Sequence, residues 1–414
     1  MKTKKRIITK PILLLSFVSL FTDVSSEMLY PVMPLFLKSI GFSILLIGIL
    51  EGAAEFTAGF SKGYFGQLSD KMRKRVPFIR LGYSLSAISK PMMALFSYPL
   101  WIFFARTSDR LGKGIRTGAR DAYLSDMTTP EFKGKVFGFH RAFDTIGAFL
   151  GPIAALILLY FYPAQYKLLF MLAIFPGIIS ILLTFLLKEK PPKENNKPKE
   201  RTHLFSFIKY LMKSPKPYKL LISGLLLFTL FNSSDVFLLL VMKQAGVSDF
   251  YLICAYIFYN AVYALFAYPI GALSDKIGFK IMIIIGFILF SVVYCGFALS
   301  GSSYFIVTYC GFAFSANLYF FMGFLFLYGI YAACSESIGK AWISNIVYKS
   351  ETATAIGSFT AFNSIFTMIA SSFAGLIWLI WGAAATMMVS AVAVFIVAIY
   401  FLIFVPYTKP LQNG

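Results

Sequence analysis

Charged residues are scarce in this sequence of 414 residues, because Asp, Glu, Lys and Arg make up only 14% of the chain whereas 58% is hydrophobic. A soluble domain is about one-quarter charged and about one-half apolar. Together with a mean hydropathy of +0.75, this excludes an ordinary soluble enzyme, a disordered chain and a collagen-like repeat. The composition instead indicates a helical protein that crosses a membrane many times.

Cysteine and histidine are also scarce, which excludes much metal and nucleophile chemistry. The four cysteines lie singly inside apolar segments, so neither a disulfide framework nor a metal cluster is expected. The sequence contains two histidines and shows no nucleophile–base arrangement. We therefore predict no enzymatic activity, no metal and no cofactor.

Twelve apolar segments, each long enough to cross about 30 Å of hydrocarbon, follow one another along the chain. We predict an all-α integral membrane protein whose spans are residues 12–37, 43–67, 76–97, 99–124, 135–161, 167–187, 218–242, 249–273, 280–301, 318–345, 354–380 and 383–405. A local duplication, in which residues 291–305 and 306–320 match at nine of fifteen positions, predicts a break or an extracytoplasmic hairpin between spans nine and ten.

Most of the positive charge lies in the tails and in alternate loops. The two tails, the even-numbered loops and the span ends next to them hold 26 of the 38 Lys and Arg residues, whereas the odd-numbered loops hold Lys38, Lys167 and Lys243. Basic loops stay on the cytoplasmic side, so we predict a protein of the cytoplasmic membrane with both termini cytoplasmic. The basic runs therefore do not predict nucleic-acid binding, and a monomer in the lipid bilayer is expected.

The chain contains two copies of one unit. Residues Gly41–Asp70 align without a gap with Gly246–Asp275, and a polar, Pro-rich stretch separates the copies. We predict an N-terminal six-helix half (1–187), a cytoplasmic linker (188–217) and a C-terminal six-helix half (218–414). This internal repeat is typical of a transporter with its site between the halves.

Three short motifs carry a family resemblance. Residues Gly66–Arg75, repeated at Gly271–Lys280, resemble the loop signature of the major facilitator superfamily. Residues Arg110–Gly114 in span four and Gly147–Pro152 in span five resemble the Arg motif and the antiporter motif of that family. The resemblance implies a rocker-switch secondary transporter with spans one, four, seven and ten lining a central cavity.

The loop signature also carries expectations about a gate. Arg73 replaces its usual Gly in the first copy, which argues against a tight turn there, whereas Gly278 keeps it in the second. We expect Asp70 and Asp275 to pair with the ends of neighbouring helices, with simple solvation in the loops as the alternative. The predicted cytoplasmic-gate residues are Gly66, Asp70, Lys71, Arg116, Arg120, Asp275 and Lys276.

Charges inside the predicted spans concentrate in the first half and on particular helix faces. Such residues are costly in a bilayer, so each is a candidate functional group or one partner of a buried pair. Five bases of span four fall within an arc of about 120° at 100° per residue, and we call them the basic ladder: Arg106, Arg110, Lys113, Arg116 and Arg120. Spans one and two present acidic faces.

Helix depth suggests partners for these charges. We predict Glu27 or Glu51 near Arg106, and Asp23 or Glu55 near Arg110. Asp144 of span five is expected near Arg116 or Arg120.

These charges allow three interpretations. They are static ion pairs, or acids that open their pairs on protonation and couple proton entry to alternation, or a ladder that holds an anionic substrate. The predicted proton-coupling residues are Asp23, Glu27, Glu51, Glu55 and Asp144. The predicted substrate-binding residues are Arg106, Arg110, Lys113, Tyr30, Asn232, Asp235, Asn260, Glu336 and Asn363.

The sequence therefore predicts a secondary active transporter that moves a small organic solute by alternating access. We expect proton coupling and favour export by antiport. Proton-coupled uptake of an organic anion, a carboxylate or phosphate, and lipid flipping on the same scaffold remain alternatives.

Overall fold

The computed structural model describes residues 7–30, 32–42, 44–163, 165–189, 206–232, 235–247, 249–300 and 318–407. Within these ranges the regular structure is helical throughout, as the composition predicts. Proline lies in the first turn of several helices. The N–H groups of that turn have no intrahelical partner, so the missing N–H of proline costs nothing there. Pro99 begins one of these helices, and Pro11 and Pro77 lie at the second position of two others.

Eight helices form the first part of the chain, which we call the N-terminal half. They are α1 (Lys10–Glu27), α2 (Met33–Ser39), α3 (Ile44–Met72), α4 (Val76–Leu95), α5 (Pro99–Asp126), α6 (Lys133–Phe161), α7 (Tyr166–Leu172) and α8 (Ile174–Phe185).

The second part contains a short helix, α9 (Ser206–Lys213), inside the predicted linker, followed by the C-terminal half. The helices of that half are α10 (Lys216–Phe231), α11 (Asp235–Gln244), α12 (Asp249–Ile277), α13 (Phe279–Ser300), α14 (Leu318–Ile346) and α15 (Thr352–Phe404). The hairpin predicted from the local duplication falls on residues 301–317, which lie outside the described residues.

Apolar runs predict the number of crossings better than the continuity of each helix. Spans one, six and seven, each predicted as one helix, are pairs of shorter helices: α1 with α2, α7 with α8, and α10 with α11. In span six the reason is Pro176, which has no N–H to donate to the carbonyl of Leu172 four residues earlier. Conversely, α15 holds spans eleven and twelve, which are separated by Gly382 at φ 85° and ψ 177°.

Among the described residues, six helical segments are long and apolar enough to cross a membrane by length and composition, and the last is 56 residues long. The other predicted spans are interrupted or carry several charges, as α3 does with Glu55 and Lys62. The charged side chains of these helices therefore have to find partners or water where the helices pack together.

The predicted repeat is present in the backbone. Helices α3 and α12 are both 29 residues long. Each follows a glycine with positive φ, Gly41 at 91° and Gly246 at 88°. The alignment of the two copies is thus confirmed at the turn as well as along the helix.

The first loop forms a tight turn in spite of Arg73, so the expectation from its missing glycine is wrong. Arg73 adopts φ 52°, the left-handed conformation that Gly278 adopts at 96° in the second copy. The N–H of Arg73 donates to Asp70 O (3.1 Å), and that of Lys74 donates to Ser69 O (3.2 Å). The Arg73 side chain is exposed, so the turn bears only the backbone cost of about 1–2 kcal/mol.

The halves pack against each other through α3 with α15 and α6 with α12. One end of the bundle carries the α3–α4 and α12–α13 turns. Glu189, at the start of the linker, accepts hydrogen bonds there from Arg75 N (3.0 Å) and Val76 N (2.9 Å). We therefore call it the linker end. Near this end the two halves touch backbone to backbone. A Cβ on Gly66 would lie 2.5 Å from Ala353 O, and one on Gly357 would lie 2.5 Å from Lys62 O.

We expect Gly66→Ala to lower the melting temperature, because the added methyl group overlaps a backbone oxygen of the opposite half. Gly375→Ala is the matched control on α15: a Cβ there meets no heavy atom within 4 Å, and Ala favours a helix over Gly by about 0.5–1 kcal/mol. Thermal unfolding of both variants in detergent checks this. Equal effects of the two substitutions would contradict the close contact.

Candidate functional site

A cavity of about 510 Å³ lies between the halves, and we call it the central cavity. Its N-terminal wall carries charged side chains of α1, α3, α5 and α6. Its C-terminal wall carries all five predicted substrate-binding residues of that half: Asn232, Asp235, Asn260, Glu336 and Asn363. The structure therefore brings the predicted groups of the C-terminal half together.

A second, smaller cavity of about 50 Å³ lies inside the N-terminal half between α1, α4 and α5. Arg106, Arg110 and Tyr30, which the sequence predicts as substrate ligands, line this small cavity and are not among the residues that line the central one. Four side chains line both cavities: Asp23, Glu27, Lys113 and Arg116. The two cavities thus share a wall made of acids from α1 and bases from α5.

The basic ladder occupies one face of α5, as the periodicity predicts. Its other faces pack closely, because a Cβ on Gly112 would lie 2.7 Å from Gly82 O of α4 and one on Gly118 would lie 2.9 Å from Gly66 Cα of α3. Small residues allow this approach of helix backbones. These close contacts of α5 with α3 and α4 fix the position of the helix that carries the basic ladder.

The partners predicted for Arg106 and Arg110 of the basic ladder are partly confirmed. Arg110 Nη1 lies 3.4 Å from Glu55 Oε1. Arg106 pairs with Asp109 of its own helix at 3.7 Å, a contact that the sequence did not suggest. Glu27 and Arg106 both line the small cavity, and the side chain of Glu51 lies outside the described residues.

Beside the central cavity, six charged groups form a continuous chain of ion pairs that begins and ends in the C-terminal half and passes through the N-terminal half. Asp121 contacts Lys340 of α14 at 2.7 Å and Arg120 at 2.9 Å. Asp144 lies 3.9 Å from Arg120, which confirms the predicted pair, and 3.8 Å from Arg141. We call this chain the inter-half network: Lys340, Asp121, Arg120, Asp144, Arg141 and Glu336.

Glu336, predicted as a substrate ligand, ends this network. It accepts hydrogen bonds from Arg141 and, at 3.1 Å, from the Tyr263 hydroxyl. Sequence reasoning placed none of Asp121, Arg141 and Lys340 in the site. One available signal was the spacing of Glu336 and Lys340, which places the two charges of α14 on the same helix face.

His140 lies beside the network and is buried, with Nε2 at 3.6 Å from Asp144 Oδ1 and Nδ1 at 3.4 Å from Ser16 Oγ. Its surroundings are those of a packing residue that contacts α1.

The acids of α1 differ from those of the network. Within the described part of the chain, neither Asp23 nor Glu27 has a hydrogen bond or an ion pair within 4 Å, although both line the two cavities. Lys113 likewise has no side-chain partner there and is exposed to the cavities. Arg116 stacks on the Tyr83 ring at 4.4 Å and leaves Nε and Nη1 without hydrogen bonds.

The C-terminal wall holds one acid among aromatic rings. Asp235, the first residue of α11, accepts hydrogen bonds from the hydroxyls of Tyr259 (2.6 Å) and Tyr328 (2.5 Å). The Tyr256 ring packs edge-on against Tyr259 at 5.4 Å. Sequence analysis did not assign Tyr328 to the site, because tyrosines in spans commonly face lipid.

The predicted gate aspartates bind helix ends of the opposite half. Asp70 accepts from the N–H groups of Ala353 (3.3 Å) and Thr354 (2.5 Å) at the start of α15. Asp275 accepts from Gly134 and Lys135 at the start of α6, both at 2.7 Å. A carboxylate at a helix N-terminus satisfies free N–H groups and the helix dipole.

These contacts hold the linker end together. The pairing predicted for the two aspartates is thus confirmed. Arg75 also reaches Asp70 at 2.5 Å, whereas Lys276 is exposed and Lys71 is half-buried.

Two repeated halves around a polar cavity, closed at one end by reciprocal contacts, define the class of the protein: a multi-pass membrane carrier. The sequence model of the Major Facilitator Superfamily matches residues 15–309 and 240–414, and the chain belongs to that family. It is therefore a secondary transporter and not an enzyme.

Individual relatives agree with this assignment. An uncharacterized MFS-type transporter of Methanocaldococcus jannaschii is 34% identical over 379 residues, which cover 90% of this chain and 89% of that protein. The multi-drug resistance efflux pump PmrA of Streptococcus pneumoniae is 29% identical over 145 residues, 34% of this chain and 35% of the pump.

Among solved structures, the Escherichia coli fucose:proton symporter FucP matches 96% of this chain and 99% of its own, with a TM-score of 0.75 and 12% identity. A second FucP structure, in the outward conformation, matches equally well. This likeness shows the fold.

Asp121→Asn is expected to destabilise the protein by about 3–5 kcal/mol, because it removes the carboxylate that Lys340 contacts and the nearer of the two carboxylates that Arg120 contacts. Asp121 is 1% exposed at its side chain. In a double-mutant cycle with Lys340→Met, the combined loss should be smaller than the sum of the single losses by at least about 0.5 kcal/mol. Additive losses of unfolding free energy in detergent would show that the 2.7 Å contact does not couple the halves.

Proposed function

We propose that the protein is a proton-coupled transporter of a small organic solute in the cytoplasmic membrane, and that Asp23 and Glu27 bind the coupling protons. The observation that carries this proposal is their position: both acids line the central and the small cavity without an ion pair in the described structure. A carboxylate inside a membrane protein is stabilised by a partner or by a proton.

Protonation of Asp23 or Glu27 changes the charge balance among the groups that surround them. The charged groups that act on them come from three helices: Lys90 of α4, Lys113, Arg110 and Arg116 of α5, and Asp144 and Arg141 of α6. Protonation removes up to two negative charges facing these bases. Lys113 and Arg116 then become available to another anion, or to a rearranged set of ion pairs.

The contacts at the linker end support an outward-facing state. The basic loops lie at this end, so we place it and both termini in the cytoplasm. The inter-half network joins the halves at the wall of the central cavity, and Asp70 and Asp275 join them at the linker end. Opening to the cytoplasm requires these contacts to break, which gives the rocker switch its two states.

Two directions of transport are supported by different observations. Export by antiport is favoured by the similarity to the PmrA efflux pump over one-third of the chain. Proton-coupled uptake of an organic anion is favoured by Lys113 and Arg116, because an anion binds them best when Asp23 and Glu27 are protonated. The charged walls of the central cavity favour a water-soluble solute over a flipped lipid.

Asp23→Asn and Glu27→Gln should each abolish accumulation driven by an imposed pH gradient, because neither amide binds the coupling proton. The solute is first found by a thermal-shift screen of carboxylates, phosphates and the cationic dye ethidium, since a ligand stabilises the state that it binds. Transport is then followed in proteoliposomes.

Counterflow exchange of the same solute should persist in both variants, which separates lost coupling from lost folding. Glu131→Gln, at an exposed carboxylate outside the cavities, is the control and should accumulate solute as the wild type does. Full gradient-driven accumulation in both Asp23→Asn and Glu27→Gln would overturn the assignment.

The direction of coupling can be read with a pH-sensitive dye inside the vesicles. When solute is added outside without a gradient, a symporter acidifies the lumen and an antiporter makes it alkaline. Export by antiport predicts the alkaline change, and acidification by an anionic solute would instead establish uptake.

A further inference from the structure

The central cavity has two charged sites on opposite walls, neither of which has an ion pair within 4 Å in the described structure. One is cationic and belongs to α5, and the other is anionic and belongs to α11. An inference about the solute follows from their arrangement, and it rests on the transport function proposed above.

The cationic site consists of Lys113 and Arg116. Lys113 is exposed and has no carboxylate within 4 Å among the described residues. Arg116 is 4% exposed, is fixed over Tyr83, and has two guanidinium nitrogens without hydrogen bonds. Other cations of the same wall differ, because Arg120 and Arg141 are each held by a carboxylate.

The anionic site is Asp235 within a ring of tyrosines. Its two oxygens accept hydrogen bonds from different hydroxyls, those of Tyr259 and Tyr328. No base pairs with it among the described residues, since Arg141 and Lys340 are held by Glu336 and Asp121. Aromatic faces beside a fixed carboxylate form a favourable site for an ammonium group.

When Asp23 and Glu27 are protonated, as proposed above, a solute with a single charge leaves one of these sites uncompensated. An anion held by Lys113 and Arg116 leaves Asp235 facing the cavity, and a cation held by Asp235 leaves the two bases without a partner. We propose that the transported solute is a zwitterion, whose carboxylate or phosphate binds Lys113 and Arg116 and whose ammonium group binds Asp235 between the tyrosines. The cavity of about 510 Å³ accommodates a small organic molecule of this type.

Binding of ω-amino carboxylates of increasing chain length, from glycine to ω-aminododecanoate, tests this in the purified protein. The matched alkylamines and alkanoates carry one charge each. We expect at least one ω-amino carboxylate to bind about tenfold more tightly than both matched compounds, measured by thermal shift and calorimetry. Preference for the alkanoates, preference for the amines, or no binding across the whole series would each overturn the proposal.

Substitutions assign the two ends. Asp235→Asn should reduce the affinity of the zwitterion to that of the matched alkanoate, and Lys113→Gln should reduce it to that of the matched amine. Tyr328→Phe, which removes one hydroxyl from Asp235 but keeps the ring, should weaken binding of the amine end alone. The matched controls are Lys209→Gln and Glu131→Gln, at exposed charges outside the cavity, and they should bind as the wild type does.

The outcome is separable from that of the proposed transport function. Gradient-driven transport of another solute, without binding of any ω-amino carboxylate, overturns the zwitterion and leaves proton coupling intact. Binding with the predicted dependence on Asp235 and Lys113, but without gradient-driven accumulation, supports the site and overturns the coupling.

Discussion

The structure depends on one electrostatic constraint: a charge removed from water has to be paired, hydrogen-bonded or neutralised. The N-terminal half satisfies it by turning the basic ladder of α5 toward acids of neighbouring helices. Arg110 meets Glu55, and Arg120 meets both Asp121 and Asp144. The glycines of α5 make this possible, because they let α3 and α4 approach closely enough to hold the bases in place.

The same constraint links the two halves. Asp121 and Glu336 find their partners across the interface, and Asp70 and Asp275 satisfy the free N–H groups of opposite helix starts. In the rocker switch proposed above, opening of the linker end breaks these contacts, and the groups then need water or new partners. The closed state is therefore held by a few discrete contacts, as a switch between two arrangements requires.

Sequence reasoning succeeded where periodicity and depth sufficed. The repeat, the ladder face and the Glu55–Arg110 and Asp144–Arg120 pairs follow from helix geometry within one half. The contacts of Asp121 with Lys340 and of Arg141 with Glu336 could not be predicted, because depth along a helix does not say which helices of the other half are neighbours. Helix breaks such as that at Pro176 could not be predicted from the apolar runs, because these runs continue through the breaks.

The central claim is that Asp23 and Glu27, which lack ion pairs in the described structure, exchange protons during transport. Infrared difference spectroscopy of the protein in lipid, between alkaline and acid pH, measures this directly. Proton exchange at these two acids predicts that the protonated carboxyl band of the wild type contains a component that Asp23→Asn and Glu27→Gln each diminish and their combination removes. An unchanged band in the double variant would contradict it.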